Sequence, residues 1–203
     1  MGFLDVLLGR TKPAQANLDR LFGLPGATIT LEVTEGLVPT GSAGVCFKAP
    51  DGTQFSAVQK ELTDLLQLNT SDATPGTEDA AATLISENVD EFGYSWIVLD
   101  GEDFDSLVTR THFVNSTLQD NGYGPQLLCS VFGFGAKDSP VPRAATHFLV
   151  YLYKRGTFYP FVPQQGEHRD NESELRLKNE LSGELSIEPE LNRWFPLWKL
   201  PFH

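Results

Sequence analysis

The hydrophobic pattern of the chain centres on the stretch Thr146–Pro163. Every side chain from Phe148 to Tyr153 is apolar or aromatic, which is typical of a strand that is buried on both faces. The segment Lys154–Gly156 interrupts this run, and Thr157–Val162 resumes it with residues that favour strands. The pattern therefore predicts a β-hairpin with a short turn that contains glycine.

The rest of the pattern predicts a mixture of strands and helices. Side chains in Ala27–Thr34 and in Ser42–Ala49 alternate, with many β-branched residues, and we interpret these two stretches as paired strands. Apolar residues at helical spacing predict helices at Phe55–Leu68 and Phe104–Gln119, and Asp103 is placed to cap the second. The other predicted elements are a helical turn at Asn17–Phe22, strands at Phe92–Leu99 and Leu127–Phe134, and a charged surface helix at Glu172–Leu185.

These elements do not follow the regular βαβ repeat of a parallel sheet. The sequence therefore predicts an α+β fold with a mostly antiparallel sheet and helices packed on it. Residues 1–12 are predicted to form a short amphipathic helix, and residues 13–203 a single α+β domain. An internal boundary, if the chain has one, falls near residues 69–80, where polar residues surround Pro75 and Gly76.

The predicted N-terminal helix is the first candidate for partner contact. Its apolar side chains share one helical stripe and are Phe3, Leu4, Leu7 and Leu8. A helix over residues 1–10 is only about 15 Å long, so it can lie on a membrane but cannot span it. Two interpretations stay open, namely peripheral contact with a membrane or partner, and packing of this helix on its own domain.

Two further pairs of residues are candidates for partner contact. Trp194 and Trp198 belong to an aromatic C-terminal segment that either covers the core or forms a partner surface. Lys154 and Arg155 form a positive pair in a chain that has few positive charges. This pair either meets an acidic partner or lies in a solvated hairpin turn.

Composition narrows the classes of function. The chain has 203 residues and a net charge of −12 at pH 7, without a basic stripe, so no nucleic-acid partner is expected. Cys46 and Cys129 each lie in an apolar run, which indicates small buried residues and not a disulfide framework. The sequence has neither a long apolar run nor a secretory signal, which predicts a cytoplasmic protein whose membrane association, if any, uses residues 1–10.

Residues with catalytic or ligand chemistry are scattered along the chain. The four histidines share no spacing with other ligands, so no metal or cofactor is predicted. The cluster around Glu167 and His168 is typical of a solvated loop, but an alternative is a small hydrolase-type enzyme that combines these residues with the distant His147. The glycine-rich stretches Gly36–Gly44 and Gly133–Lys137 lack phosphate-binding spacing and predict turns.

Several long strings resemble one known family. The opening MGFLDVLLGR, the segment HFLVYLYKRGTFYPFVPQ and the closing LNRWFPLWKLP are similar to the actinobacterial PspA-associated proteins, the PspAB family. This resemblance runs over nearly the whole chain. It implies association with a phage shock protein A homologue, a coiled-coil protein that binds membranes and guards the cell envelope under stress. It transfers no catalytic residues to this sequence.

The mixed α+β units also resemble the YbjN or secretion-chaperone-like fold, which binds partner proteins. Taken with the family resemblance, the prediction is a non-enzymatic binding or regulatory factor of the envelope-stress system. The small hydrolase stays the first alternative. A structural subunit that becomes ordered only in an oligomer is the second.

Overall fold

The computed structural model describes residues 17–49, 60, 84–101, 103–141 and 143–201. Within these residues, six strands form one open antiparallel sheet and three α-helices pack against it, so the predicted α+β class is confirmed. The predicted N-terminal helix and the predicted boundary near residues 69–80 lie outside the described residues. So does the predicted helix Phe55–Leu68, except for Lys60, which is helical.

The described elements follow one another in a simple order. They are a 3₁₀ turn (Leu18–Gly23), α1 (Leu24–Glu35), β1 (Leu37–Phe47), β2 (Leu84–Val89), β3 (Ser95–Asp100), α2 (Phe104–Leu118), a π turn (Gln119–Tyr123), a 3₁₀ turn (Gly124–Gln126), β4 (Leu127–Ala136), β5 (His147–Leu152), β6 (Thr157–Phe161), the two-residue strands β7 (Pro163–Gln164) and β8 (His168–Arg169), α3 (Asn171–Leu181) and a 3₁₀ turn (Leu191–Arg193). The large sheet has the order β2-β3-β1-β4-β5-β6, and β7 pairs with β8.

The strand predicted at Ala27–Thr34 is wrong, because this stretch belongs to helix α1. Pro25 occupies the first turn, where a missing N–H costs nothing. The buried side chains of α1 recur at helical spacing and are Leu24, Ala27 and Leu31. The β-branched Ile29 and Val33 are 67% and 79% exposed, so their strand preference costs only tenths of a kcal/mol and burial decides the structure.

The turns predicted at Gly36–Gly44 and Gly133–Lys137 are also wrong, because these glycines lie largely inside β1 and β4. Gly41 adopts φ +79°, and a Cβ there would lie 2.2 Å from the Gly101 carbonyl oxygen. A Cβ on Gly135 would lie 2.4 Å from the Ala144 carbonyl oxygen. Glycine is used at both positions because a neighbouring backbone comes too close for a side chain.

Most other predicted elements are confirmed. The hairpin appears as β5 and β6, which pair antiparallel, and Gly156 in its turn has φ +65°. Helix α2 begins as predicted, with the Asp103 carboxylate accepting a hydrogen bond from the Ser106 N–H at 2.8 Å. The strands predicted at Ser42–Ala49, Phe92–Leu99 and Leu127–Phe134 correspond to β1, β3 and β4, each with shifted ends.

Alternation along the strands gives the sheet two apolar faces. The first face packs against α1, α2 and α3, and its strand residues include Val45, Phe47, Ile97, Leu99, Phe132, Phe134, Leu149, Tyr151 and Phe158. The second face is formed by Cys46, Trp96, Val98, Cys129, Val131, Phe148, Val150, Tyr159 and Phe161. Since β5 contributes to both faces, its predicted burial on both sides is confirmed. The second face is covered by residues 194–200 and not by one of the three α-helices.

Candidate functional site beneath the C-terminal segment

A pocket of about 740 Å³ lies between the second face of the sheet and residues 194–201, which we call the C-terminal segment. Its volume falls within the range of about 300–1,000 Å³ that is usual for ligand sites. We call it the aromatic pocket and define it by its lining residues, which are Cys46, Asp90, Phe92, Tyr94, Trp96, Leu128, Cys129, Leu152, Lys154, Arg155, Tyr159, Arg193, Phe195, Pro196, Leu197, Trp198, Lys199 and Leu200.

Two aromatic contacts fix the C-terminal segment on the sheet. The Trp194 ring stacks on Tyr159 of β6 with a centroid distance of 5.9 Å, and the Tyr159 hydroxyl donates to the Phe195 carbonyl at 2.8 Å. The Trp198 ring meets Phe161 edge-on at 5.2 Å. These contacts bury apolar area on both partners, which explains why the segment lies against the second face.

The buried Glu188 anchors the chain just before this segment. One of its oxygens accepts from the Thr157 hydroxyl at 2.8 Å and lies 3.4 Å from Arg155 Nε, and the other accepts from the Glu190 N–H at 3.2 Å and from Arg193 Nη1 at 3.3 Å. Burial alone would raise the pKa of Glu188, but these hydrogen bonds and positive charges outweigh it, so the pKa lies below its ordinary value.

The chain before the C-terminal segment also covers the outer edge of β6. The Phe158 N–H donates to the Ser186 carbonyl at 2.8 Å, and the Glu188 N–H donates to the Phe158 carbonyl at 2.7 Å. These bonds form a parallel bridge between Phe158 and Ile187. The edge of the sheet therefore positions Glu188 through the backbone.

The turn between β2 and β3 forms the opposite wall of the pocket. One Asp90 carboxylate oxygen accepts from the N–H groups of Phe92 and Tyr94 at 3.0 and 2.9 Å, and the other accepts from Trp96 Nε1 at 3.0 Å. The carboxylate thus fixes the turn and the indole together. The Phe92 side chain stays 68% exposed at the mouth of the pocket.

Positive charge collects at the margin of the aromatic pocket. Lys154, Arg155, Arg193 and Lys199 line it, and the nearby carboxylates include Asp90, Glu91, Glu167 and Glu188. Lys199 pairs with Glu91 at 2.8 Å, and the two arginines share Glu188. Lys154 is exposed and has no carboxylate partner among the described residues. Lys154 is therefore the positive side chain of this margin that no described carboxylate balances, in a chain with net charge −12.

Two free thiols form part of the pocket floor. Cys46 of β1 lies directly opposite Cys129 of β4 in the strand register, and both are buried and unbridged. The hydrogen bond to Cys129, with burial as the second cause, raises the pKa of the Cys46 thiol far above its ordinary value. The interpretation of both cysteines as small buried residues is confirmed.

The structure brings together several partner-contact candidates that are distant in the sequence. Lys154, Arg155 and Trp198 line the aromatic pocket, and Trp194 packs in the same cluster. The N-terminal candidates Phe3, Leu4, Leu7 and Leu8 lie outside the described residues, and their contact with a membrane or partner stays a prediction. Phe92 and Tyr94 are not among the site residues predicted from the sequence, because the strand predicted at Phe92–Leu99 includes both. The adjacent Gly93 is the signal for a turn.

The three residues of the hydrolase alternative are not joined by any hydrogen bond or ion pair in the described part of the chain. His147 begins β5, contacts the Thr146 hydroxyl at 2.8 Å and has its pKa lowered by burial. Glu167 and His168 are exposed at the β7–β8 turn. Over the described residues, no group of three or more His, Cys, Asp or Glu side chains could hold a metal. None of the described helices is long and apolar enough to cross a membrane.

Comparison with known proteins gives one match. A family model described as PspA associated protein B matches residues 1–202 of the chain. Neither the curated proteins nor the solved structures contain a match. The matched residues include the sheet, the described helices and every residue that lines the aromatic pocket.

Proposed function

This chain belongs to the PspA associated protein B family, and from that membership we propose that it is a non-enzymatic, cytoplasmic binding factor that contacts PspA through the mouth of the aromatic pocket. The family name indicates association with PspA. Beyond the family name, we propose the surface through which this chain contacts PspA and a regulatory role in envelope stress. Peripheral membrane contact through residues 1–10 would be a second, separate contact.

The observation that carries this proposal is the exposed aromatic surface at the mouth of the pocket. Phe92 on the β2–β3 turn is 68% exposed, and Phe195 on the C-terminal segment is 57% exposed. Both line the aromatic pocket, so their exposed rings adjoin a preformed depression and are not scattered singly over the surface. Large aromatic side chains around a pocket are typical anchors of protein interfaces.

The charges at the margin indicate the chemistry of the partner segment. Lys154 is unpaired among the described residues and lies at the same mouth as Phe92 and Phe195. An apolar stripe flanked by acidic side chains would complement this surface, and the helices of coiled-coil proteins carry such stripes next to charged positions. We therefore expect the contacting segment of PspA to be an acidic amphipathic helix.

The test measures the affinity of purified PspA from the same host for variants of this chain. Replacing both Phe92 and Phe195 by Ser removes the exposed anchors and should weaken binding by at least about tenfold, and Lys154→Glu should weaken it further and reduce its dependence on salt. The matched control replaces Ile29 and Val33 by Ser, because these apolar side chains are also largely exposed and belong to α1, which packs on the other face of the sheet.

Each outcome has a clear meaning. Loss of affinity in the mouth variants with an unchanged control supports the proposal. Equal affinity in all variants would place the contact elsewhere on the chain. Absence of binding by the unaltered chain would refute direct contact with PspA. Circular dichroism of each variant checks that the fold is intact, since exposed substitutions usually change stability by only about 0.5 kcal/mol.

A further inference from the structure

The interior of the aromatic pocket offers room that a protein contact at its mouth does not use. We propose that this interior binds a single-chain anionic amphiphile, a long-chain fatty acid, with the acyl chain among the aromatic side chains and the carboxylate at Lys154 on the margin. This ligand site goes beyond the proposed contact with PspA, because it concerns a small molecule whose acyl chain fills the interior of the pocket; its headgroup alone would share the mouth with PspA.

The first argument is the apolar character of the interior. Aromatic and aliphatic side chains from the sheet, the β2–β3 turn and the C-terminal segment line it, among them Trp96, Leu128, Leu152, Leu197 and Trp198. A volume of about 740 Å³ is enough for one ligand of drug-like size. An alkyl chain gains most from such a lining, because the hydrophobic effect scales with the apolar area removed from water.

The second argument is that the Asp90 carboxylate and the Tyr159 hydroxyl, two polar groups of the pocket lining, are already hydrogen-bonded within the protein. The Asp90 carboxylate accepts three hydrogen bonds from its own turn and from Trp96. The Tyr159 hydroxyl donates to the Phe195 carbonyl at 2.8 Å. A polar ligand would have to break these bonds, whereas an alkyl chain leaves them intact.

The third argument is the charge at the margin, which selects the headgroup. The positive side chains Arg155, Arg193 and Lys199 at the margin are held in ion pairs with Glu188 and Glu91. Lys154 has no carboxylate partner among the described residues. A ligand carboxylate can pair with Lys154, and it can share the arginines that Glu188 only partly neutralises. A cationic headgroup would instead be repelled by Lys154.

Intrinsic fluorescence tests this proposal directly, because all three tryptophans of the chain lie on the second face. Purified full-length protein is titrated with sodium palmitate below its critical micelle concentration, in the absence of PspA. We expect a saturable change in tryptophan emission. Hexadecyltrimethylammonium, which has a similar chain and the opposite charge, should bind at least about tenfold more weakly.

Two variants probe the chain and the headgroup separately. Leu152→Phe places a larger side chain inside the pocket, and Lys154→Glu reverses a charge at its margin; each should raise the apparent dissociation constant for palmitate by at least about fivefold. Lys178→Glu is the matched control, since this residue lies on α3 at the other face of the sheet. The affinity of the Lys178→Glu variant for palmitate should equal that of the unaltered chain.

Three results would overturn the proposal. They are the absence of a saturable signal with palmitate, equal affinity for the two amphiphiles, and equal affinity in the pocket variants and the control. The absence of a saturable signal would also be the outcome if a segment of the chain itself fills the pocket. Because PspA is absent from this experiment, its failure leaves the test of the PspA contact unaffected.

Discussion

Glu188 shows how one buried side chain can organise the surroundings of a site. Its carboxylate receives hydrogen bonds from Thr157 and from the chain at Glu190, and it pairs with Arg155 and Arg193. These partners come from the turn-facing end of β6, from the hairpin turn and from the chain that leads into the C-terminal segment. Glu188 therefore connects three parts of the pocket margin.

Replacing Glu188 by Ala should lower the free energy of unfolding by about 2 kcal/mol. The change leaves both arginines without their shared carboxylate, although their partial exposure keeps the cost below the usual 3–5 kcal/mol for a broken buried pair. Urea denaturation measures the difference. Glu190→Ala is the control, because this exposed neighbour makes its recorded hydrogen bonds, to the Glu188 carboxylate and from the Arg193 N–H, through backbone atoms that the substitution keeps. A loss no larger than that of the control would contradict the anchoring role.

The pH dependence of the effect of Glu188→Ala follows from the pKa of Glu188 in the unaltered chain. Because the pKa of Glu188 is lower in the folded state than its ordinary value near 4.5, the ionised carboxylate stabilises the folded protein. This contribution is fully present above that ordinary value and disappears as the pH falls through the lowered pKa. The stability gap between the wild type and Glu188→Ala should therefore shrink as the pH is lowered below about 4.5, as measured by denaturation at each pH.

At the scale of elements, helix α1 is where local propensity and burial disagree. The stretch Ala27–Thr34 contains many β-branched residues, and its alternation favours a strand. The buried positions Leu24, Ala27 and Leu31 have helical spacing instead, and they face the sheet core. Burial of apolar side chains outweighs propensities of a few tenths of a kcal/mol, so the helix forms.

This conflict predicts that α1 can be stabilised from its exposed side. Replacing both Ile29 and Val33 by Ala should raise the free energy of unfolding by about 0.5–1 kcal/mol, since Ala has a better helix propensity and these side chains bury little area. Thermal or urea denaturation measures the gain. Leu31→Ala, at a buried position of the same helix, should instead cost about 2–5 kcal/mol. Destabilisation by the Ile29 and Val33 changes would mean that another surface covers them.

Elements with consistent local signals were predictable from the sequence. The hairpin β5–β6 combines an apolar run, a glycine turn and strand-favouring residues, and α2 combines an apolar face with a capping Asp103. The prediction of turns at the glycines of β1 and β4 is wrong because glycine is required there by tertiary contacts. The backbones of Gly101 and Ala144 come too close to leave room for a side chain. Sequence composition around a glycine does not reveal which distant backbone lies beside it.

At the scale of the whole molecule, the site is a product of topology. Lys154 and Trp198 were each recognisable as candidates, but no local pattern shows that they share a pocket with Trp96 and Cys129. That proximity depends on the order of strands in the sheet and on the path of the C-terminal segment across its second face. Long-range pairings of this kind are not encoded by hydrophobic periodicity, which reports only the faces of single elements.

The two proposed ligands share one mouth, which leads to the last prediction. Palmitate bound at Lys154 would neutralise the charge that the PspA helix is expected to meet, and its headgroup would occupy space beside Phe92 and Phe195. Saturating palmitate should therefore weaken the binding of purified PspA by at least about fivefold, as measured by titration with and without the fatty acid.

Leu152→Phe provides the decisive control for this competition. It narrows the interior of the pocket but leaves the exposed side chains of the mouth in place, so this variant should bind PspA normally and lose its sensitivity to palmitate. If palmitate still weakens PspA binding to this variant, the fatty acid acts elsewhere or on PspA itself. If palmitate strengthens binding to the unaltered chain, the filled pocket is the form that PspA recognises, because linkage requires that each ligand then favours the other.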